Sequence, residues 1–399
     1  MQLYGFAALI VLNFFPVLHG PTRYGFFALL IASVYAVWRQ PGPLWIATPI
    51  DVPLLGLLLW VLFTVPFSID PDYSFKEWRK LGAQVLLFYW AVRVLAMQPT
   101  RQRLWPLLVA LMVGTALTAT ISLVEFSLHG GSLYGRDVRA GVFGSDYNWL
   151  STYMVMALPL TLAVALLARK GIWRFASWVT VGLAAVAELF AYTRAGWMGL
   201  GAEALVALWW AGRRRVVVGV LLLAICAGLA YAATTNFRDP NETAALHDPW
   251  TLRARVDVWS LAAGDIAAHP FVGIGYGSKN FTARYAGRPE LEKAAGAHSL
   301  FIMLTLGSGL PALGLFVWLV VATVSAQLRA SRSLRMMGEP WHMLSVAAAV
   351  MLIGFAVRNL FDVMLIGGLA NLFWMLVAMS FQPVLIVRRS VETAHSVTG

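Results

Sequence analysis

Apolar residues occur along this chain in long blocks that are separated by short polar stretches. The block at 216–233, VVVGVLLLAICAGLAYAA, shows no alternation of apolar and polar positions. Blocks of roughly 17–25 apolar residues are long enough to cross about 30 Å of hydrocarbon as a helix, whereas the strands of a membrane barrel alternate. The pattern therefore predicts an all-α fold, a polytopic bundle of transmembrane helices.

Counting these blocks predicts about twelve membrane helices. The short first two blocks and the tight pairs joined near Arg194 and Asp362 are the least regular. The predicted segments are 3–18, 23–38, 52–68, 81–97, 104–126, 148–168, 173–193, 195–211, 216–233, 299–326, 342–362 and 366–387.

The distribution of basic residues predicts the orientation of the bundle. Basic residues concentrate in the loops that face the cytoplasm of a bacterial membrane protein. Seven lie in the short odd-numbered loops: Arg23, Lys76, Arg79, Lys80, Arg136, Arg139 and Arg194. Fourteen lie in the even-numbered loops and the tail: Arg39, Arg101, Arg103, Arg169, Lys170, Arg174, Arg213, Arg214, Arg215, Arg329, Arg332, Arg335, Arg388 and Arg389. Both termini are expected in the cytoplasm.

This topology divides the chain into three parts. Residues 1–233 form helices one to nine, residues 234–298 form an outer loop, and residues 299–399 form helices ten to twelve with a short tail. The loop is the one hydrophilic stretch large enough for a small subdomain.

The loop has two predicted features, a helix and a glycine-rich turn. Leu252, Val256, Trp259 and Ala263 recur at helical spacing, which predicts an amphipathic helix at the membrane surface. Glycines at alternate positions in FVGIGYGSKNF (271–281) indicate a turn with close backbone approach. Outside the loop, the stretch 72–80 predicts a second surface helix.

Composition agrees with a membrane protein and excludes several other classes. Hydrophobic residues make up 59% of the chain and charged residues 12%, with a mean hydropathy of +0.71. The net charge of +11 is explained by orientation and attraction to anionic lipid. No soluble basic domain is present to bind nucleic acid. The single cysteine, Cys226, excludes an intrachain disulfide or a cysteine-based metal site.

Ionisable residues inside apolar blocks are costly and are functional candidates by default. The alternative for each is an ion pair between helices or a side chain that reaches the interface. Arg358 and Asp362, four residues apart, could simply pair with each other. These residues are Arg93, Glu125, Glu188, Glu203, Arg358 and Asp362.

Three residues at the outer face form the strongest chemical candidate. Arg194 lies in the turn TRAGW, Arg255 shares a helix face with Trp259, and His298 precedes the tenth membrane segment. Alone, His298 could cap or pack a helix. Two arginines with one histidine on the same side predict a phosphate clamp and a proton acceptor.

Other catalytic patterns have structural explanations. Asp70-Pro71-Asp72 has the DxD form of a metal-dependent glycosyltransferase, but proline between aspartates also marks a turn and a helix N-cap. His298 and Ser299 are adjacent and cannot form a Ser-His-Asp relay with Asp248. The glycine-rich turn lacks the GK[ST] of a P-loop.

The motifs together resemble the O-antigen ligase/polymerase superfamily. The run 255–281, with its arginine, tryptophan, proline and glycines, is similar to the signature loop of that family. His298-Ser299 followed by Gly309 matches its H-[NSQ]-x9-G pattern, and Ala312 departs mildly from it. TRAGW at 193–197 and the entry to the sixth segment at Asn148 are also similar. The resemblance covers roughly residues 139–315.

The resemblance implies glycan transfer on the outer face of a Gram-negative inner membrane, with the active site facing the periplasm. The donor would be a glycan on undecaprenyl diphosphate, and the acceptor a hydroxyl of lipid A–core oligosaccharide. Catalytic roles would fall to His298, Arg194 and Arg255, with no metal and no cofactor. Substrate-binding roles are expected for Arg136, Arg139, Asn148 and Trp259.

Two other functions remain open from the sequence. An O-antigen polymerase would use the same chemistry with a growing glycan as acceptor. A secondary transporter of twelve helices would instead place charges near the bilayer midplane and interrupt helices in paired halves. Here the suggestive residues cluster at the outer face, which argues against the transporter, and the histidine pattern and the moderate length favour the ligase over the polymerase.

Overall fold

The computed structural model describes residues 2–39, 45–97, 101–131, 138–144, 146–168, 171–212, 249–288 and 296–398. Within these ranges the chain is helical and contains no strand. The helices are α1 Gln2–Asn13, α2 His19–Arg39, α3 Asp51–Thr64, α4 Pro71–Ala96, α5 Arg101–Leu128, α6 Tyr147–Leu167, α7 Ile172–Ala191, α8 Arg194–Ala211, α9 Pro249–Ala268, α10 Ser278–Arg284, α11 Leu300–Met336, α12 His342–Asn359 and α13 Gly367–Thr398. The predicted all-α class is confirmed.

Six of these helices are long and apolar enough to cross a membrane, which confirms a polytopic helical membrane protein. They comprise Leu104–Leu128, Tyr147–Leu167, Ile172–Ala191, Leu300–Met336, His342–Asn359 and Gly367–Arg388. Of the twelve predicted segments, eleven coincide with described helices, and the ninth, 216–233, lies outside the described residues.

Two predicted spans are shorter than expected. α1 has 12 residues and α3 has 14, which at 1.5 Å per residue covers only about 20 Å. Each ends near a proline, Pro16 or Pro66, that falls in a short 3-10 turn. Proline lacks the N–H that a continuing helix requires, so both helices stop before a full membrane thickness.

The prediction of a separate surface helix at 72–80 is wrong. α4 runs without interruption from Pro71 to Ala96, because no proline separates the polar first turns from the apolar part. Asp70 caps it, accepting a 2.9 Å hydrogen bond from the backbone N–H of Tyr73. The structural interpretation of the Asp70-Pro71-Asp72 motif is therefore confirmed.

α12 lies at the centre of the described bundle and packs against α6, α8 and α11. Its contact with α8 is close because Gly199 faces the backbone of Gly354: a Cβ on Gly199 would lie 3.0 Å from the Gly354 carbonyl oxygen. Small residues allow membrane helices to approach in this way. The packing fixes how the ends of four helices meet.

Candidate functional site

Polar groups gather at one end of the bundle, called here the site end. The N-termini of α6 and α11, the α7–α8 turn and the C-terminus of α12 meet there through the packing of α12. The loop helices α9 and α10 cover the same end, since α9 packs on α11. The candidate site is therefore assembled from distant parts of the chain.

His298 is held in a strained conformation directly before α11. Its φ of 46° lies in the left-handed region, which residues with a Cβ rarely adopt. The carbonyl of the preceding residue, Ala297, accepts a 2.7 Å hydrogen bond from the indole N–H of Trp259. On the other side, Ser299 caps α11. Strain fixed by surrounding contacts is typical of functional sites.

Two opposite charges act on the half-buried ring of His298. Asp362 is held nearby, because its carbonyl accepts a 3.0 Å hydrogen bond from the backbone N–H of Leu300. Arg255 lies one helical turn before Trp259 on α9. Burial lowers the pKa of His298; the carboxylate of Asp362 raises the pKa, and the guanidinium of Arg255 lowers it. Since the net shift is downward, the neutral imidazole predominates at pH 7.

A chain of contacts connects Asp362 to the start of α6. Arg358 Nη1 lies 3.9 Å from Asp362 Oδ2, and Arg358 Nη2 donates to the carbonyl oxygen of Asn148 at 2.8 Å. Asn148 Nδ2 donates in turn to Asp146 Oδ1 at 3.0 Å. Arg358 is fully buried. Because a buried guanidinium requires compensating partners, these contacts tie α12 to α6.

The α7–α8 turn adds a second polar cluster beside α6. Ser151 Oγ donates to Glu188 Oε1 at 2.8 Å and accepts from Thr193 Oγ1 at 2.6 Å. A Cβ on Gly196 would clash with all three of these side chains, so this cluster requires a glycine in the first turn of α8. Arg194 begins α8 and is exposed. The cluster thus positions the turn that carries Arg194.

α11 is broken at Gly309, and the loop fills the break. Gly309 has φ 79° and ψ 175°, and a Cβ there would clash with the carbonyl oxygen of Phe271. The break frees two carbonyl groups of α11, which accept hydrogen bonds of 2.8 and 3.0 Å from loop N–H groups: Ile274 to Leu306 and Gly275 to Gly307. The glycine-rich turn is therefore fixed against the helix that His298 precedes.

The loop helices form a small core of their own. Its buried members are Val258, Ala262, Ile274, Phe281, Tyr285, Ala297 and Leu306. At its edge, Asp265 accepts hydrogen bonds from Arg284 and Tyr285. The hydrogen bond from Arg284 is the main reason that the pKa of Asp265 lies below its ordinary value. The core keeps α9, and so Arg255 and Trp259, in one position relative to His298.

The predicted helix exists, and it also buries a second face against the protein. α9 covers Pro249–Ala268. Val256 and Ala263 are exposed, whereas Val258 and Ala262 are buried. Val258 and Ala262 pack in the loop core, and the helix packs on α11. The predicted membrane-surface role of Val256 and Ala263 stays a prediction.

The α3–α4 turn is attached to the same loop. The backbone N–H of Ile69 donates to the Ile274 carbonyl, and that of Asp70 donates to Asn280 Oδ1, both at 2.9 Å. Asp70 therefore lies at the site end, where it caps α4 and binds the loop through its backbone N–H. Among the described residues, no group of three or more His, Cys, Asp or Glu side chains is arranged to hold a metal ion.

The remaining predicted residues take different positions. Asn148 joins Arg358 to Asp146, as described above. The guanidinium of Arg139 stacks over the Tyr147 ring, with its carbon 4.2 Å from the ring centroid. Arg136 lies outside the described residues. Trp259 uses its N–H for Ala297, so it positions the backbone before His298.

The sequence alone did not show how far the contacts of Arg358 and the buried carboxylates extend. Arg358 and Asp362 pair as the four-residue spacing indicated, but the same residues also extend to Asn148 and to the surroundings of His298. Among the described residues, neither Glu188 nor Glu203 lies within ion-pair distance of a basic side chain, and Glu188 instead accepts a hydrogen bond from Ser151. A polar residue at the start of a neighbouring segment, Ser151, was the available signal for Glu188.

Fold and site together define a polytopic helical membrane protein whose polar groups meet at one end of the bundle. One part of the chain is similar to a known family: residues 179–317 match the model of the O-antigen ligase family. The matched segment contains Arg194, Arg255, His298 and Gly309, and it resembles the O-antigen ligase/polymerase family, a glycosyltransferase-like family of membrane proteins. The resemblance drawn from the motifs is confirmed there. No curated protein matches the chain.

Proposed function

We propose that this protein is an O-antigen ligase. It transfers a glycan from undecaprenyl diphosphate to a hydroxyl of lipid A–core oligosaccharide at the periplasmic face of a Gram-negative inner membrane. The observation that carries the proposal is that His298, in the segment that matches the family, lies near enough to both Asp362 and Arg255 for each charge to shift its pKa. A neutral histidine beside a guanidinium suits a reaction between a hydroxyl and a diphosphate-linked sugar.

His298 acts as the general base in this proposal. The acceptor hydroxyl loses its proton to the imidazole as its oxygen attacks the anomeric carbon. The bond from that carbon to the diphosphate oxygen breaks, and undecaprenyl diphosphate leaves with the electron pair. A single displacement inverts the configuration of the anomeric carbon. The lowered pKa of His298 keeps the base in its neutral form.

Arg194 and Arg255 stabilise the leaving diphosphate. Guanidinium groups offer planar pairs of donors that fit phosphate oxygens, and they supply positive charge where negative charge develops. The two residues begin α8 and lie in α9, so they can hold a diphosphate from two directions. Arg139 and Arg136 supply further positive charge for donor or acceptor phosphates, and Asn148 orients substrate at the start of α6. Trp259 serves as a positioning residue for His298.

The reaction runs without a divalent metal in this proposal. Two arginines already neutralise the leaving group, and the Asp70 carboxylate is engaged as the N-cap of α4. Transfer is therefore expected to continue in EDTA, and the Asp70→Asn/Asp72→Asn variant is expected to stay active. Activity that disappears in EDTA and returns with Mg²⁺ would contradict this mechanism and indicate that a metal ion is required.

The test uses purified protein with a lipid-linked glycan donor and lipid A–core acceptor. His298→Ala is expected to lower the rate about 10²- to 10⁴-fold, the usual effect of losing a general base. Arg194→Lys and Arg255→Lys are expected to lose most activity, because lysine keeps the charge but not the planar donor pair.

Matched controls come from the same loop. His269→Ala and Arg288→Lys change exposed side chains, and both variants are expected to transfer normally. Near-normal transfer by His298→Ala would leave His298 with a packing role only. Product analysis separates the two family activities: glycan joined to lipid A–core indicates a ligase, and lengthened lipid-linked glycan indicates a polymerase.

A further inference from the structure

A cavity with a partly polar lining opens at the site end, apart from His298. Its volume is about 380 Å³, and it lies between α1, α2, α4 and α13. Its polar lining consists of Lys76, Arg79, Lys80, Gln84, Asn13 and Asn371. The functional site described above uses none of these residues.

Three cations of one helix face supply the charge of this cavity. Lys76, Arg79 and Lys80 are spaced three and four residues apart in the first turns of α4, so they project on the same side. Glu77 pairs with Lys80, which leaves the charges of Lys76 and Arg79 to attract an anion. The side chains are exposed at the cavity mouth, where a phosphate could reach them.

Below these cations the cavity becomes apolar. Its lining extends along α4 to Leu87, eleven residues after Lys76, a depth of about 16 Å at 1.5 Å per residue. Leu9, Phe26 and Met375 line the same space. A cationic mouth over an apolar interior is complementary to a lipid with a phosphorylated headgroup.

The cavity lies close to the candidate site. Gly367 lines it and follows Asp362 by only five residues, so their Cα atoms are at most about 19 Å apart. A Cβ on Gly367 would lie 3.6 Å from the indole ring of Trp149, the neighbour of Asn148. A sugar chain that starts from a headgroup at Lys76 and Arg79 could therefore reach His298.

We propose that the cavity at Lys76, Arg79 and Lys80 binds the phosphorylated lipid anchor of the acceptor. This proposal rests on the ligase function, because it divides the two lipid substrates between two sites. The donor diphosphate lies at Arg194 and Arg255, and the acceptor enters through the cavity between α1, α2, α4 and α13. Each lipid then has its own route from the bilayer.

The test is a steady-state analysis of the Lys76→Glu/Arg79→Glu variant in nanodiscs. The expected result is a rise of about tenfold or more in the KM for lipid A–core, with an unchanged KM for the lipid-linked donor. Removing phosphates from the acceptor is expected to raise its KM for the wild-type protein and to have little further effect on the variant. Lys279→Glu/Arg288→Glu, which changes exposed basic residues of the loop, is the control and should leave both KM values unchanged.

Each other outcome decides the question. An unchanged acceptor KM, or an equal rise in donor KM, overturns the proposal, as does equal binding of phosphatidylglycerol and lipid A–core by native mass spectrometry. If the charge reversal prevents folding, Lys76→Gln/Arg79→Gln is measured in the same way. Failure of the wild-type protein to transfer glycan would instead overturn the ligase function itself.

Discussion

At the scale of the residue, His298 combines a left-handed backbone with two charged neighbours. A local sequence could not reveal this conformation, because Trp259, which fixes it, lies 39 positions earlier in the chain. The residue types, by contrast, predicted a histidine and an arginine on the same side of the bundle, and Arg255 lies near enough to lower the pKa of His298. The roles of both remain predictions to be tested by their effect on activity.

Asp362→Asn tests how the charge near His298 sets the acidic limit of activity. Activity requires a neutral base, so it falls as the pH decreases through the pKa of His298. The Asp362 carboxylate raises this pKa, and removing it should lower the pKa and move the acidic limb of kcat/KM to lower pH. Arg255→Gln removes a charge that lowers the pKa and should move the limb the other way.

The measurement is kcat/KM for glycan transfer between about pH 5 and 8, where this ratio reports the free enzyme. Asp257→Asn, an exposed change on α9, serves as the control. A shift to higher pH for Asp362→Asn would contradict the proposed arrangement of charges.

At the scale of the element, α11 contains a break that the pattern of apolar residues does not predict. The apolar block 299–326 predicted one straight span, and the helix does begin and continue there. Its break at Gly309 depends on the approach of Phe271 from the loop, which hydropathy cannot detect. The family pattern contained Gly309, so the motif identified the position but gave no physical reason for it.

Gly309→Ala should detach the loop from α11. An alanine costs about 1 to 3 kcal/mol in this positive-φ backbone, which essentially only glycine adopts, and it also clashes with the Phe271 carbonyl. The variant is expected to have a lower thermal unfolding midpoint in detergent and at least tenfold lower transfer.

Gly314→Ala is the matched control in the same helix. A Cβ at Gly314 would meet no atom within 4 Å, so this variant should keep its stability and activity. Equal behaviour of the two variants would show that the break in α11 has no role in positioning the loop.

At the scale of the whole molecule, the bundle was largely predictable and its assembly was not. Apolar block lengths located the helices because each must bury its own backbone polar groups. The buried link from Arg358 to Asn148 joins positions 210 residues apart, and only helix packing reveals it. The assignment of the site end to the periplasm still depends on the distribution of basic residues.

Cysteine labelling tests this orientation on a Cys226→Ala background. Lys279→Cys lies at the site end and Arg174→Cys begins α7 at the opposite end, and both positions are exposed. A membrane-impermeant thiol reagent added to intact spheroplasts is expected to label position 279 only. Exclusive labelling of position 174 would place the site end in the cytoplasm.

The break in α11 also determines how this protein can be recombined with relatives. The loop is not joined to the bundle by the chain alone. Its backbone also forms hydrogen bonds with Leu306, Gly307 and the turn at Ile69. A loop exchanged alone, to borrow another protein's choice of glycan, would lose those partners. A chimera that is meant to fold must therefore exchange three segments together: the loop, the start of α11 at 299–310, and the turn at 68–70.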